Sequence, residues 1–388
     1  MAAPNSTPLD ALPFDALLEI AGAVGALSPV CGQPGENDIV NLASTSRIMR
    51  TACQKLRFRG IIINFDDLSH VGRLDYLFSR QANHAREVMR GLPDGIRWTR
   101  SFALTVPGQP RAGNFDLNLM IQRAGTILSH VLSNAPGLRK LTVTTPTILQ
   151  NLQNAAGIQG AFSLPLIEEL VIDNTSRFLL DFCPNIQRLT LTGFTTSPGA
   201  SFRNLSQLIA RAANMPNLRA LEINTARGAM VHPLPTMNQI TSLTVVCQLP
   251  GNNRADLHHA VSNITQLAHA LRSRMTNVQS LTLVVTGPEL GSTASWRSFR
   301  RRITTSRWAE LFFERAHNLQ EFTIACITHG PPTFYHINPP TLLSCWRARR
   351  QPGVALYYFA AFTIEQESEL ELGAFSYREW RPSLEGPP

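Results

Sequence analysis

One short phrase recurs along the chain and limits the folds open to it. It is clearest at Pro184-Asn185-Ile186-Gln187-Arg188-Leu189-Thr190-Leu191-Thr192-Gly193, where Ile186, Leu189 and Leu191 are spaced three and then two residues apart. The same spacing returns at Leu138/Leu141/Val143, Ile167/Leu170/Ile172, Leu218/Leu221/Ile223, Ile240/Leu243/Val245, Val278/Leu281/Leu283 and Leu319/Phe322/Ile324. A Pro, Asn or His often stands just before the first apolar position, as in Pro136-Gly137, Pro216-Asn217 and His317-Asn318. The alternation at the end of each phrase is strand periodicity. A single strand of this length cannot bury its own apolar face, but a stack of copies can, so the phrases predict a repeat array.

Helix-like stretches lie between the phrases. Leu117, Met120, Ile121, Ala124, Ile127, Leu128 and Val131 recur at helical spacing up to Pro136. Three further faces are Leu205/Leu208/Ile209/Ala212, Leu257/Val261/Ile264/Leu267/Ala268/Leu271 and Trp308/Leu311/Phe312/Arg315. Phe102, Leu104 and Val106 read as an early strand, and Ala355 to Ile364 as a final one. An eight-fold β/α barrel also alternates strands with helices, but its strands are covered on both faces and read as continuous apolar runs. Here polar residues stand between the apolar ones: Lys140, Thr142, Thr144, Glu169, Asp173, Arg188, Thr190, Thr192, Glu222 and Asn224. They predict an open α/β array whose parallel sheet curves, with one polar, solvated face and helices on the other.

Length and composition narrow the class further. The 388 residues suit two or more domains or one elongated array, and the 44% hydrophobic content suits a sizeable core. The net charge of +8 suits an acidic partner without naming one. Six cysteines, Cys31, Cys53, Cys183, Cys247, Cys326 and Cys345, are scattered with no Cys-x-x-Cys pair, which argues for a reducing compartment and against a zinc ribbon. Met1 to Pro13 carries no basic segment followed by an apolar core, so no signal peptide is expected. The longest apolar run, near Gly353 to Ile364, is too short to span a bilayer. The sequons at Asn174 and Asn263 carry no meaning in the cytoplasmic or nuclear setting this implies.

Residues 1–9, rich in Pro, Ser and Asn, read as a disordered start. After them come Leu12-Pro13, then Leu17-Leu18-Glu19-Ile20, then Asp38-Ile39-Val40-Asn41-Leu42, then Ser46-Arg47-Ile48-Met49, a basic stretch and Phe58. Leu17, Ile20, Ala21 and Val24 share a helical face, Asp38 and Ser46 suit N-caps, and residues 25–37 form a loop. In this order and spacing the segment resembles an F-box over roughly residues 10–60. The array after it, over about residues 95–365, resembles the leucine-rich repeats of F-box proteins, especially divergent fungal ones. The step between phrases runs from 19 residues (Ile167 to Ile186) to 41 (Val278 to Leu319), against about 20–29 for a regular leucine-rich repeat. The family's asparagine ladder is not visible in the sequence. A plainer role for residues 10–60 is a helical cap over the first repeat.

The resemblance divides the chain into an F-box at 10–60, a leucine-rich-repeat-like array at 61–365 and an acidic, then Pro/Gly-rich tail at 366–388. It implies a non-catalytic substrate receptor of an SCF-type cullin-RING ubiquitin ligase. Leu12, Pro13, Leu17, Leu18, Ile20, Ile39, Leu42 and Met49 would bind a Skp-type adaptor, and through it a cullin. The solvated strand positions Lys140, Glu169, Arg188, Thr190, Glu222, Ser242, Ser280 and Glu321 are the candidate target-protein surface; their mixed signs suit a patterned protein more than a polyanion. The sequence holds no His-Glu-x-x-His, Walker loop or Gly-x-Ser-x-Gly, so an enzyme, cofactor or metal site is not expected. His258-His259 point to different helix faces, and Asp66-Asp67 reads as a solvated turn. Two basic clusters remain. Arg297, Arg300, Arg301, Arg302 and Arg307 alternate with Trp296 and Trp308, and Arg347, Arg349 and Arg350 adjoin Trp346. They read either as solvated helix faces over buried tryptophans or as phosphate- and base-binding surfaces. The alternative function is a nucleic-acid-binding or general protein-interaction repeat scaffold without a ligase role.

Overall fold

The computed structural model describes residues 16–17, 45, 48–49, 53, 60–64, 97–105, 117–144, 152–157, 163–195, 200–226, 234–248, 265–286, 308–328, 341–350 and 357–363. The chain forms two compact units, Met1–Pro184 and Asn185–Pro388, with a boundary inside the expected array. Both are α/β, with parallel strands alternating with helical segments, compatible with a solenoid-like repeat.

In the first unit, β1 (Gly60–Asn64), β2 (Ser101–Thr105), β3 (Lys140–Thr144) and β4 (Glu169–Ile172) lie parallel in chain order. Helix α1 (Leu117–Asn134) connects β2 to β3 and buries Ala124, Leu128, Val131 and Leu132. It stops two residues before Pro136, and the Asn134 amide donates to His130 O at 2.8 Å, satisfying a terminal carbonyl. The short α2 (Leu152–Ala155) ends at Gly157, whose φ of 62° is the left-handed conformation that closes a helix without a Cβ penalty. After β4 a 3₁₀ turn, Arg177–Phe182, buries Phe178, Leu179 and Leu180.

In the second unit, β5 (Arg188–Thr195), β6 (Ala220–Ala226), β7 (Ser242–Gln248), β8 (Ser280–Thr286) and β9 (Glu321–Thr328) are parallel in chain order. Helix α3 (Ala200–Ala213) buries Leu205, Leu208, Ile209 and Ala212, the face that the sequence assigns to it. Helical residues 265–273 bury Leu267, Ala268 and Leu271. In α3's later counterpart, α4 (Trp308–Arg315), Phe312 packs on Phe322 of β9 with ring centroids 4.7 Å apart.

The three-then-two spacing has a plain cause. In six of the seven phrases the first apolar residue closes a turn: Leu138 N donates to Ala135 O, Ile167 to Leu164, Leu218 to Met215, Ile240 to Met237, Val278 to Met275 and Leu319 to Ala316. The three-residue step crosses from turn to strand, and the two-residue step lies within the strand. All three apolar positions of all seven phrases point into the core, and none is more than 4% exposed.

The sheet does not end as it begins. Strand β10 (Thr341–Arg350) runs antiparallel to β9, and β11 (Tyr357–Thr363) antiparallel to β10. The basic run Arg347/Arg349/Arg350 is therefore a strand and not a helix face. Its last member ties that strand to α4: Arg350 Nη2 donates to Phe313 O at 2.7 Å and Nε to Leu319 O at 3.0 Å, with the guanidinium 5.4 Å from the Phe313 ring. Alternating basic residues hid this strand, because the charge pattern carries no apolar face.

Truncating a core residue tests the register. Leu189→Ala should cost about 2–5 kcal/mol in a denaturant melt. Gln187→Ala, two residues earlier and exposed, should change stability by less than about 0.5 kcal/mol. Comparable losses at both would show that the strand is misregistered.

Candidate functional site

The strands present their non-core side in rows set by the pairing register. The first row is Ser101–Lys140–Glu169 in the first unit and Arg188–Ala220–Ser242–Ser280–Glu321 in the second. Ala220, not Glu222, holds the β6 place in it. Glu222 lies two residues on, level with Thr190, Thr244, Thr282 and Thr323. A third row, Asn224–Val246–Val284–Ala325, follows in the second unit.

These rows differ in exposure, which corrects the expectation of one uniformly wet face. Lys140, Glu169, Arg188, Ser242, Ser280 and Glu321 are half-exposed. In the second row Thr142, Thr190, Thr282, Thr323 and Glu222 are buried. Val246, Val284 and Ala325 of the third row are buried as well. Strands about 4.8 Å apart let short side chains shelter one another, so a threonine ladder shows little surface even on a side without the leucine core. Thr190 and Glu222 therefore leave the target surface. The Thr190 hydroxyl makes a long 3.5 Å contact to Glu222 Oε2, joining β5 to β6. Asp173 is buried too, at the centre of a local turn: its Oδ1 accepts from the amides of Thr175 (2.9 Å) and Ser176 (3.0 Å) and from the Thr175 hydroxyl (2.7 Å). The Ser176 hydroxyl reaches Val143 O at 2.7 Å and so fixes this turn to β3.

Among the described residues of the array, the turns just before the strands hold exposed positions. In the first unit a shallow depression of about 400 Å³ is lined by Gly60, Arg100, Ser101, Arg139, Lys140, Glu168 and Glu169. Two ion pairs stitch it, Arg139–Glu168 and Lys140–Glu169, each at 2.7 Å. The Lys140 side chain is 43% exposed, so screening limits the second pair to about 1 kcal/mol at most. Leu166 sits in the turn before β4, beside these charges in sequence, and is 52% exposed. Its place in the phrase is the one that Asn185, Asn217, Asn277 and Asn318 hold in other copies.

In the second unit three of those asparagines reach back to the preceding turn. Asn217 Nδ2 donates to Asn185 Oδ1 at 3.2 Å, Asn277 Nδ2 to Asn238 O at 2.7 Å and Asn318 Nδ2 to Thr276 O at 2.8 Å. Each ties a turn to the one before it. The sequence shows the asparagines only as punctuation, because uneven steps hide their alignment. Beside them a depression of about 590 Å³ is lined mostly by amides and hydroxyls, with Arg219 as the one charged side chain among the lining residues. The Arg219 guanidinium already donates to Pro216 O at 2.8 Å.

Of the adaptor-motif positions, two are described, and both point inward. Leu17 and Met49 are fully buried within the chain, as is Cys53. Leu12, Pro13, Leu18, Ile20, Ile39 and Leu42 lie outside the described residues, as do Phe58, residues 297–307, Asp66-Asp67 and His258-His259. Ile48, next to Met49, is 43% exposed. Helical periodicity flags such a residue only when neighbouring turns define the opposite face.

The described thiols are poor nucleophiles: burial pushes Cys183 up to about 12 and also raises Cys53. Among the described residues no group of three or more His, Cys, Asp or Glu is placed to hold a metal ion, and no helix is long and apolar enough to cross a membrane. Compared with protein-family models and with curated proteins, the chain matches none.

The exposure difference between the first two rows is measurable. Ser280→Lys should leave the thermal midpoint nearly unchanged, whereas Thr282→Lys should lower stability by roughly 1–3 kcal/mol, because a long cation replaces a side chain that is 5% exposed. Equal tolerance would mean that the second row is open to solvent.

Proposed function

We propose that this chain is a non-catalytic substrate receptor of an SCF-type cullin-RING ubiquitin ligase, acting in the cytoplasm or nucleus. Residues 10–60 act as the F-box that binds a Skp-type adaptor. The remainder is a leucine-rich-repeat solenoid whose sheet curves, with its helices on the convex side, and which holds a target protein. Such a receptor breaks no bond; it raises the target's effective concentration beside the ubiquitin-charged enzyme.

The observation that best supports the adaptor role is Ile48. Leu17, Met49 and Cys53 are buried, yet Ile48, in the Ser46-Arg47-Ile48-Met49 motif, keeps 43% of its surface in water. A large exposed aliphatic side chain over a packed interior suits a docking helix better than a cap, whose apolar side would be used up within the chain. For the target, the first unit's rim supplies what protein interfaces favour: an exposed apolar residue, Leu166, in the turn before β4, and a mixed-sign depression lined by Arg139, Lys140, Glu168 and Glu169. Its paired signs favour a protein over a polyanion.

The two contacts separate experimentally. Co-expressed with a Skp-type adaptor, the wild-type chain should retain it through purification. Ile48→Asp should reduce that capture at least tenfold while the circular dichroism melt stays as in wild type. Leu17→Asp should instead lower the melt itself. Leu166→Asp should leave the adaptor bound and deplete the other proteins captured from cell extract. A wild-type chain that never retains the adaptor would overturn the ligase role. Unchanged capture by Leu166→Asp would move the target site off this rim.

A further inference from the structure

The second unit carries a row of polar side chains just before its parallel strands: Gln187, Arg219, Thr241, Gln279 and Gln320, ahead of β5 to β9 in turn. Backbone bonds hold the row in step. Arg219 N donates to Gln187 O, Thr241 N to Arg219 O, Gln279 N to Thr241 O and Gln320 N to Gln279 O, each at 2.8 Å. Neighbouring members therefore stand one strand spacing apart, about 4.8 Å. All are exposed except the half-buried Thr241. Arg219, Thr241 and Gln279 line the depression of about 590 Å³, a size that suits a ligand site. The same place before β2, β3 and β4 holds Arg100, Arg139 and Glu168, the charged residues that a soluble surface ordinarily favours. Behind the row, the turns are tied down: Gln239 Nε2 donates to Ala213 O at 2.9 Å and Asn277 Nδ2 to Asn238 O at 2.7 Å. By contrast, among the described residues no hydrogen bond engages the side chains of Gln187, Gln279 or Gln320. A stiff base thus presents unengaged carboxamides.

We propose that this row binds an extended, uncharged segment of the target protein through the segment's main chain. A carboxamide offers both donors and an acceptor, and its complement is a group with both, which the peptide unit supplies at every residue. A cation would face the Arg219 guanidinium. A polyanion would find one cation among five positions, too few to neutralise a run of phosphates. Spacing favours a polyproline II segment, whose N–H and C=O groups have no internal partners. Three of its residues rise about 9.3 Å and two strand spacings measure about 9.6 Å, so segment and row stay in step. The four spacings from Gln187 to Gln320 make about 19 Å, the length of about six such residues. The fixed base lowers the cost of ordering the site on binding. The proposal rests on the receptor reading only in assigning the segment to a target protein; the chemistry of the row stands without it.

The test is selection from a random library of capped hexapeptides on the full chain, followed by fluorescence anisotropy of the peptides retained. The wild type should enrich peptides without net charge, and methylating their backbone nitrogens should weaken binding at least tenfold. Gln279→Ala combined with Gln320→Ala removes two carboxamides that hold nothing in the fold. The double variant should bind the same peptides at least tenfold more weakly while its denaturant melt stays as in wild type. Leu166→Asp should leave them bound, which separates this row from the first unit's rim. No enrichment, enrichment of charged peptides only, indifference to backbone methylation or equal binding by the double variant would each overturn the proposal. So would a random single-stranded RNA that binds the wild type, competes with the peptides and is released by the same double substitution. A chain that retains no adaptor yet passes these tests would overturn the ligase role and leave this proposal standing.

Discussion

One backbone carbonyl per repeat carries the architecture. In the first unit the carbonyls of Arg100 and Arg139, and in the second those of Gln187, Arg219, Thr241 and Gln279, each accept two successive amides of the next strand at 2.8–3.1 Å. A carbonyl has two lone pairs, so one acceptor can hold the residue before the next strand and that strand's first residue together. The contact fixes the register at the point where turn becomes strand. A one-residue slip would put Leu221 or Leu281 on the side that now carries threonine. The leucines then bury themselves because the register has been decided, and helices of different lengths can be inserted between strands without disturbing it. That explains how steps from 19 to 41 residues coexist with a constant phrase.

The same contact explains which parts of the fold are legible in the sequence. Positions that depend on it repeat, and repetition is visible: all seven phrases lie where their spacing puts them, and Leu205, Leu208, Ile209 and Ala212 face the core as their periodicity requires. Features that depend on what lies alongside are not visible. Glu222 looks like an outward charge beside Arg188 until the pairing sets it level with Thr190. Thr282 and Thr323 look wet because hydroxyls are polar, yet a threonine whose neighbours stand one strand away on either side has little surface left. β10 was hidden because its second half, Trp346-Arg347-Ala348-Arg349-Arg350, is basic and carries no repeating apolar face to reveal a period.

The candidate site was legible in part for related reasons. Among the described residues of the second unit, exposure falls from the first row to the second on β5, β6, β8 and β9, so the useful surface is narrower than a sheet face and includes the turn residues before the strands. Turns are where a repeat varies most freely, because their backbone is satisfied by the shared carbonyl whatever side chain is present. Three copies use an asparagine there, Asn217, Asn277 or Asn318, to reach the previous turn; the copy before β4 uses Leu166. An asparagine at that place spends its hydrogen bonds within the chain. A leucine has none to make and leaves its surface to something else. The departure from the repeat marks the functional candidate, and it becomes visible only after the repeat has been aligned by structure.

Any stack of parallel strands also has to stop. A parallel strand requires a crossover to return the chain to the same end, and each crossover adds another helix with a face to bury. The second unit stops by reversing direction. β10 returns antiparallel to β9, and Arg350 donates both to the carbonyl of Leu319, just before β9, and to that of Phe313 in the last helix. Direct return removes the need for a crossover, and the parallel stack ends without adding another helix face to bury. What a repeat array gains in tolerance along its length it has to settle at its ends, and in this chain the ends are where the repeating pattern gives way to residues with no counterpart in the other copies.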